Sequence, residues 1–381
     1  MKSNSYLSLF LIVILSVISS AHEQERCKGE ECLEPPVDDQ KSHADYDVYN
    51  CPSTPPRGYP QQWSSNNVFQ WPVNSTDIPE TIHQGLCIFD AGSDHKTAFQ
   101  YLYADVPFVV RNDPDFIATA QRWNQEGYIE DMLGDSNYPT HKSSDFVFKH
   151  WTREENPPAG WTEPTEVLRI PYRNYTELSY RNAIPNEPHY SVMPEGYWSL
   201  SDETHRWSVF EELPQFKPEA QTPMYQESPA QHPLYQELVA DQDTQKLQCQ
   251  FGMAGNMHVF HFKSSRNTIV LLKGRRRYLL SDPSQCPLLQ LHELGHASNR
   301  HSSLTELPEA LKLNEVVLQQ GDVLIIPSYW FHSSIGLTHD NAQCNAWSAG
   351  TMRYKGILQK CGKFERPSSS LRNGRRVEVT Y

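Results

Sequence analysis

His292-Glu293-Leu294-Gly295-His296 spells the pattern His-Glu-x-x-His. On one face of a helix this spacing offers two imidazoles to zinc and a carboxylate that activates a water, which is the chemistry of a zinc metalloprotease. The surroundings argue against it. The continuation Ala-Ser-Asn-Arg-His301 has no Gly and brings the next His one residue early for the extended form of the motif, while Pro287 upstream and Gly295 within make a poor helix. Surface zinc binding by His292, His296 and His301 without catalysis stays open on these grounds. Two further groups of residues carry chemistry of another kind. Asn74-Ser75-Thr76 and Asn174-Tyr175-Thr176 are glycosylation sequons, and Cys27, Cys32, Cys51, Cys87, Cys249, Cys286, Cys344 and Cys361 form an even set that suits disulfides.

Both groups belong to an oxidising compartment, and the start of the chain agrees. Lys2, the apolar run Tyr6 to Ile18 and Ser19-Ser20-Ala21 read as a secretory signal peptide over residues 1–21, cleaved after Ala21. The run is too short for a membrane anchor, and no later segment is apolar enough to span a bilayer. The expected address is secreted or extracellular, with the endoplasmic reticulum lumen as the alternative. The C-terminal Val-Glu-Val-Thr-Tyr carries no retention tetrapeptide. With 33 basic and 46 acidic residues the net charge is −13, and no long basic stripe interrupts it. Nucleic acid is therefore excluded as a partner.

The elements that must position any site are strands, because 28 Pro against 18 Gly points away from an all-helical chain. Residues 22–85 read as a Cys- and Pro-containing lead without a core of its own. Val106 to Val110 has β character, and Ile117 to Leu133 has the spacing of one helix stopped by Gly134. Residues 212–236 carry a faint repeat, too few copies for a solenoid. The densest β pattern lies between 249 and 350. Asn267–Leu272 and Arg276–Leu280 around Lys273-Gly274-Arg275 read as one hairpin, and Val316–Gln319 with Val323–Ile326 as another. A further strand runs through Gln343 to Trp347, and a polar tail follows over 361–381.

Three stretches together resemble the JmjC and cupin-like family of Fe(II)/2-oxoglutarate oxygenases, in its asparaginyl-hydroxylase-like branch. They are Phe108-Val109-Val110 with Trp123 and Leu133-Gly134; Gly252 through His258, His261, Lys263 and Asn267 to Lys273-Gly274 and Asp282-Pro283; and Gly321-Asp322 through Pro327 and Trp330 to His332. The resemblance implies a mainly β fold, a double-stranded β-helix (jelly roll) with flanking helices, over a domain spanning 86–360. It also implies Fe(II) and 2-oxoglutarate. Carried over position by position, His261 and His332 are the metal imidazoles, Asn267 is the pocket Asn, and Arg276 stands where a Lys grips the far carboxylate of 2-oxoglutarate. Arg275, Arg276 and Arg277 also read as solvated charge on an exposed arm.

One position departs from the pattern. The family completes its metal triad with a carboxylate, and here that position holds Lys263. A protonated ammonium cannot ligate and repels a dication. His258 could supply a third imidazole, provided a bulge turns it to the same side as His261. Two functions follow as expectations. The first is a divergent, non-catalytic or weakly catalytic relative that serves as a binding or extracellular matrix protein, with an unknown protein partner. The second is an active oxygenase with a metal held by His258, His261 and His332.

Overall fold

A computed structural model describes residues 47–55, 63–65, 85–149, 160, 162–181, 188–193, 209–216, 234–235, 238, 246–293, 296–361, 371–372 and 375–376. The expected signal peptide, most of the 22–85 lead with Asn74, Cys27 and Cys32, most of the 212–236 repeat and most of the tail lie outside the described residues.

The strands are β1 (Trp63–Ser64), β2 (Ile88–Asp90), β3 (Phe108–Arg111), β4 (Asn137–Ser143), β5 (Val147–Phe148), β6 (Glu166–Pro171), β7 (His189–Val192), β8 (Lys246–Gly252), β9 (Met257–His261), β10 (Arg266–Lys273), β11 (Arg276–Ser281), β12 (Lys312–Leu318), β13 (Val323–Ile326), β14 (Phe331–Gly336) and β15 (Asn341–Ser348). They form a six-stranded sheet, β1-β12-β11-β14-β9-β5, and a nine-stranded sheet, β2-β3-β13-β10-β15-β8-β7-β4-β6. Both are mixed, since β2 with β3 and β5 with β9 pair in parallel.

The fold is mainly β with flanking helices, but the expected jelly roll is not formed: neither sheet closes into a barrel. The physical reason lies at the edges. Of the four outer strands only β6 is long, at six residues; β1, β2 and β5 have two or three each, too short to carry a closing ladder.

Both expected hairpins are corrected as well. β10 belongs to the nine-stranded sheet and β11 to the six-stranded one, and β12 and β13 divide in the same way. Each short turn therefore carries the chain from one sheet to the other. Gly274 makes the first crossing with φ of 72°. A Cβ there would sit 2.1 Å from Thr338 Oγ1 and 2.5 Å from the Asp340 carbonyl, so only Gly fits.

The single helix expected over 117–133 is two. Among the helices, α1 (His95–Tyr103) is followed by α2 (Pro114–Trp123), α3 (Tyr128–Leu133) and α4 (Tyr172–Arg181). Asp113 caps α2 by accepting from the Asp115 and Phe116 amides, and Pro114 suits the first turn. Gly127, at φ of 75°, breaks the run before α3. The buried stripe of α2, Phe116, Thr119, Ala120 and Trp123, turns toward the core, where the Trp123 ring stacks on Phe251 at 5.6 Å.

Strand alternation gives the six-stranded sheet two apolar faces. Tyr278 and Leu280 of β11 enter the main core with β10, β13 and the helices. Leu279, Leu313 and Phe331 pack with Phe260, Leu289 and Leu291 in a smaller second core. Three disulfides staple the chain: Cys51–Cys87, Cys249–Cys344 and Cys286–Cys361. The second joins directly opposed residues of β8 and β15.

Candidate functional site

The inner face of the six-stranded sheet carries the histidines. His261 at the end of β9 pairs with His332 of β14, and their ring centroids lie 4.3 Å apart. The ladder then slips: Ser334 pairs with His258, so two steps on β14 match three on β9. This is the bulge that His258 needs to share a face with His261. His258 is buried there, and its Nε2 lies 2.7 Å from the side-chain amide of Gln250 on the opposite sheet.

Both paired histidines have one ring nitrogen tied to main chain, His261 Nδ1 to the Val259 carbonyl at 2.9 Å and His332 Nδ1 to the Trp330 carbonyl at 3.1 Å. A carbonyl can only accept, so in the neutral rings Nδ1 donates and Nε2 carries the lone pair. That tautomer suits metal ligation. The donor set does not complete it. Among the described residues no group of three or more His, Cys, Asp or Glu side chains is arranged to hold a metal ion. Lys263 follows His261 by two residues, and its charge acts on His332. The residues present therefore do not fit an iron facial triad.

The His-Glu-x-x-His segment does not supply a zinc helix either. His292 and Glu293 are in irregular backbone, and 296 to 300 are bends and turns. The His292 and His296 rings stack on each other at 4.0 Å instead of being presented by a helix face. His301 goes elsewhere. It bridges to His261 and stacks on its ring at 4.9 Å.

Farther along the same inner face lies Arg276. The solvated-arm reading is corrected here, since Arg276 and Arg277 are both 0% exposed. Alternation sends these neighbours to opposite faces, with opposite partners. Arg277 faces Glu315 of β12 in a buried ion pair. Arg276 donates from Nε to Ser334 Oγ and from Nη1 to Asn341 Oδ1, each at 3.2 Å, while its buried Nη2 has no protein partner. Burial pushes its pKa down, yet a guanidinium stays charged in proteins. A buried cation left in this state is suited to receiving an anion.

A polar chain crosses from this sheet to the other: Tyr278 donates to Gln343, Gln343 to Asn345 at 3.0 Å, and Asn345 to Asn267 at 3.1 Å. Asn267 thus lies in the same interior as Arg276. Gln250, Tyr278, Ser334, Asn341, Gln343 and Asn345 were not singled out by motif. Their signal was present in the alternation Asn341-Ala-Gln343-Cys-Asn345, which puts amides on one side of a buried strand.

Burial, and secondarily the Lys263 charge, lowers the His332 pKa to about 4. Burial and then the Arg276 guanidinium hold His258 well below the usual range, and burial followed by Lys263 does the same to His301. An unfolded imidazole takes its proton near 6.5. Between that value and the folded one the unfolded state binds more protons, so stability falls as pH drops. We expect the metal-free protein to lose about 1.8 kcal/mol between pH 7 and pH 5 from His332 alone. Urea midpoints measured in chelator across this range test it, and a flat profile that His332→Gln leaves unchanged would refute it.

The cupin-like domain family model matches residues 96–348, well over half of the chain, and the chain belongs to that family. Among characterised proteins it is similar to Lysine-specific demethylase JMJ30 of Arabidopsis thaliana, at 25% identity over 258 residues. The match covers 65% of this chain and 51% of that protein, so the chain spans about half the length of this curated relative.

Proposed function

We propose that this protein is a metal-deficient cupin-like domain of the secretory pathway, a non-catalytic relative of 2-oxoglutarate-dependent protein hydroxylases that binds a carboxylate ligand in place of oxidising a substrate. The observation that carries the reading is Lys263, two residues after His261, where the resemblance calls for the metal carboxylate. Arg276 supports the binding half: it is a buried guanidinium with an unsatisfied Nη2, suited to a bidentate carboxylate. Asn267, joined to the same interior through Asn345, is the second pocket residue in this reading. The domain is taken to span 86–360. Lysine demethylation, the activity in the relative's name, is not carried over at 25% identity.

The β9 bulge favours a second reading, in which His258 joins His261 and His332 as a metal ligand. Anaerobic Fe(II) titration at pH 7 of wild type and His332→Ala separates the two. The expected result is no stoichiometric iron. Iron bound by wild type and lost in His332→Ala would replace the first reading by the second.

Three disulfides support an oxidising compartment, and among the described residues no helix is long and apolar enough to cross a membrane. Secretion, with lumenal residence as the alternative, is part of the proposal. Asn174 is exposed on α4, with Thr176 beside it. Expression in a secretory host should give a glycan there, seen as one step of increased gel mobility in Asn174→Gln. Unchanged mobility would remove Asn174 as an acceptor.

A further inference from the structure

The segment that follows β15 crosses the end of the inner face where the paired histidines sit. Gly350 lies against the chain on either side of them: a Cβ there would come 2.7 Å from Ser328 Cβ and 2.9 Å from the Ser264 carbonyl, so only Gly allows this approach. Ser328 lies just before β14, which carries His332, and Ser264 just after β9, which ends at His261. Beside this contact Tyr329 donates its amide to the Lys263 carbonyl at 2.7 Å and holds φ of 68°, a left-handed conformation that a bulky residue keeps only when its surroundings enforce it. Its hydroxyl lies 3.7 Å from the Met352 sulfur. Two anchors fix the segment. At one, buried Asp105 accepts from Thr351 Oγ1 at 2.6 Å, pairs with Arg353 Nε at 3.6 Å and offers its carbonyl to Tyr354 and Trp330. At the other, after the short helix Lys355–Lys360, Cys361 is bonded to Cys286. Between them Leu358 joins Phe262 and Phe331, the neighbours of His261 and His332, in the second core.

We propose that residues 349–361 form a redox-locked strap: the Cys286–Cys361 disulfide keeps the histidine end of the inner face closed, and its reduction by a dithiol frees the strap and opens that end. The lock is within reach of a reductant, since Cys361 is half-buried, whereas both cysteines of Cys249–Cys344 are 0% exposed inside the β8–β15 ladder. A reductant thiolate attacks Cys361 Sγ, the Sγ–Sγ bond breaks, and Cys286 leaves as a thiolate. The second thiol of the reductant resolves the mixed disulfide, so two electrons and two protons pass from the dithiol to Cys286 and Cys361, and the reductant leaves as its own disulfide. The far end of the strap is then held by the packing of Leu358 and no longer by a covalent bond, and a terminal segment so held opens at a lower cost than the whole fold. The device controls access to the inner face whatever ligand that face takes.

The test is labelling of the purified full-length mature protein at pH 7 with diethyl pyrocarbonate, which acylates accessible neutral imidazoles. Peptide mass mapping reads the labels before and after mild dithiol treatment of the folded wild type, and in Cys286→Ala/Cys361→Ala. In molecules that keep Cys249–Cys344, opening Cys286–Cys361 should speed labelling of His261 and His332, and tryptic cleavage after Arg353, by at least about tenfold each, as the freeing of a local segment implies. Cys51→Ala/Cys87→Ala, which leaves the strap locked, should change neither, and an equal rise in that variant would overturn the proposal. Unchanged labelling once Cys286 and Cys361 are reduced would overturn it as well. So would labelling that rises only as Cys249–Cys344 is lost, because global unfolding would then be what exposes the histidines. Reduction of the folded wild type gives this answer whether or not the double variant folds.

Discussion

Replacing Arg276 with Met should leave the ligand-free protein as stable as wild type or stabilise it by up to about 2 kcal/mol, whereas Arg277→Met should cost about 3–5 kcal/mol. The two residues are adjacent on β11 and equally buried, so composition and burial cannot account for a difference. Their partners can. Arg277 faces Glu315, itself fully buried, and removing the guanidinium strands an uncompensated carboxylate. Arg276 has only neutral partners, Ser334 and Asn341, so its own charge is the uncompensated one. Met relieves that desolvation at the cost of two hydrogen bonds worth about 1 kcal/mol each. A residue whose removal stabilises the empty protein is retained for what it binds. Urea unfolding monitored in the absence of carboxylates measures both variants. A loss in Arg276→Met as large as in Arg277→Met would make Arg276 an ordinary structural group and withdraw it from the site.

Lys263→Asp should raise Fe(II) affinity by more than about 100-fold, since it exchanges a repelling charge for a ligating one beside a dication. The rest of the centre is prepared for this change. His261 and His332 already lie 4.3 Å apart between ring centroids, with their Nδ1 atoms committed to main-chain carbonyls. Anaerobic titration of the variant beside wild type gives the affinity change, and 2-oxoglutarate consumption in air then reports on the pocket. Metal gained with turnover would show that Lys263 is the principal block to oxygenase chemistry. Metal gained without turnover would place a second departure in the pocket, and no gain in affinity would show that the imidazole pair is not set for metal.

The cupin-like family is legible in the residues alone. The spacing of His261, Lys263, Asn267, Arg276 and His332 identified the family, and the model match over 96–348 agrees. The residues also make the mainly β character legible, because Pro and Gly punctuation between short apolar runs is a local signal. Which strands share a sheet is not local. Two runs with a Gly turn between them look like a hairpin whether they pair with each other or diverge into two sheets, and here β10 and β11 diverge. Helix length was misjudged over 117–133 for a related reason: apolar periodicity continues across Gly127, while the backbone breaks there. Only the tertiary structure separated Arg276 from Arg277, because the face of β11 that turns toward the other sheet gives Arg276 to Asn341 of β15, while the opposite face gives Arg277 to Glu315 on the neighbouring β12. It alone brought His301 onto His261 and turned His258 inward through the bulge. Residue types and spacing name the groups available for chemistry; the register and the order of strands, set by long-range pairing, decide which charges are left buried without a partner.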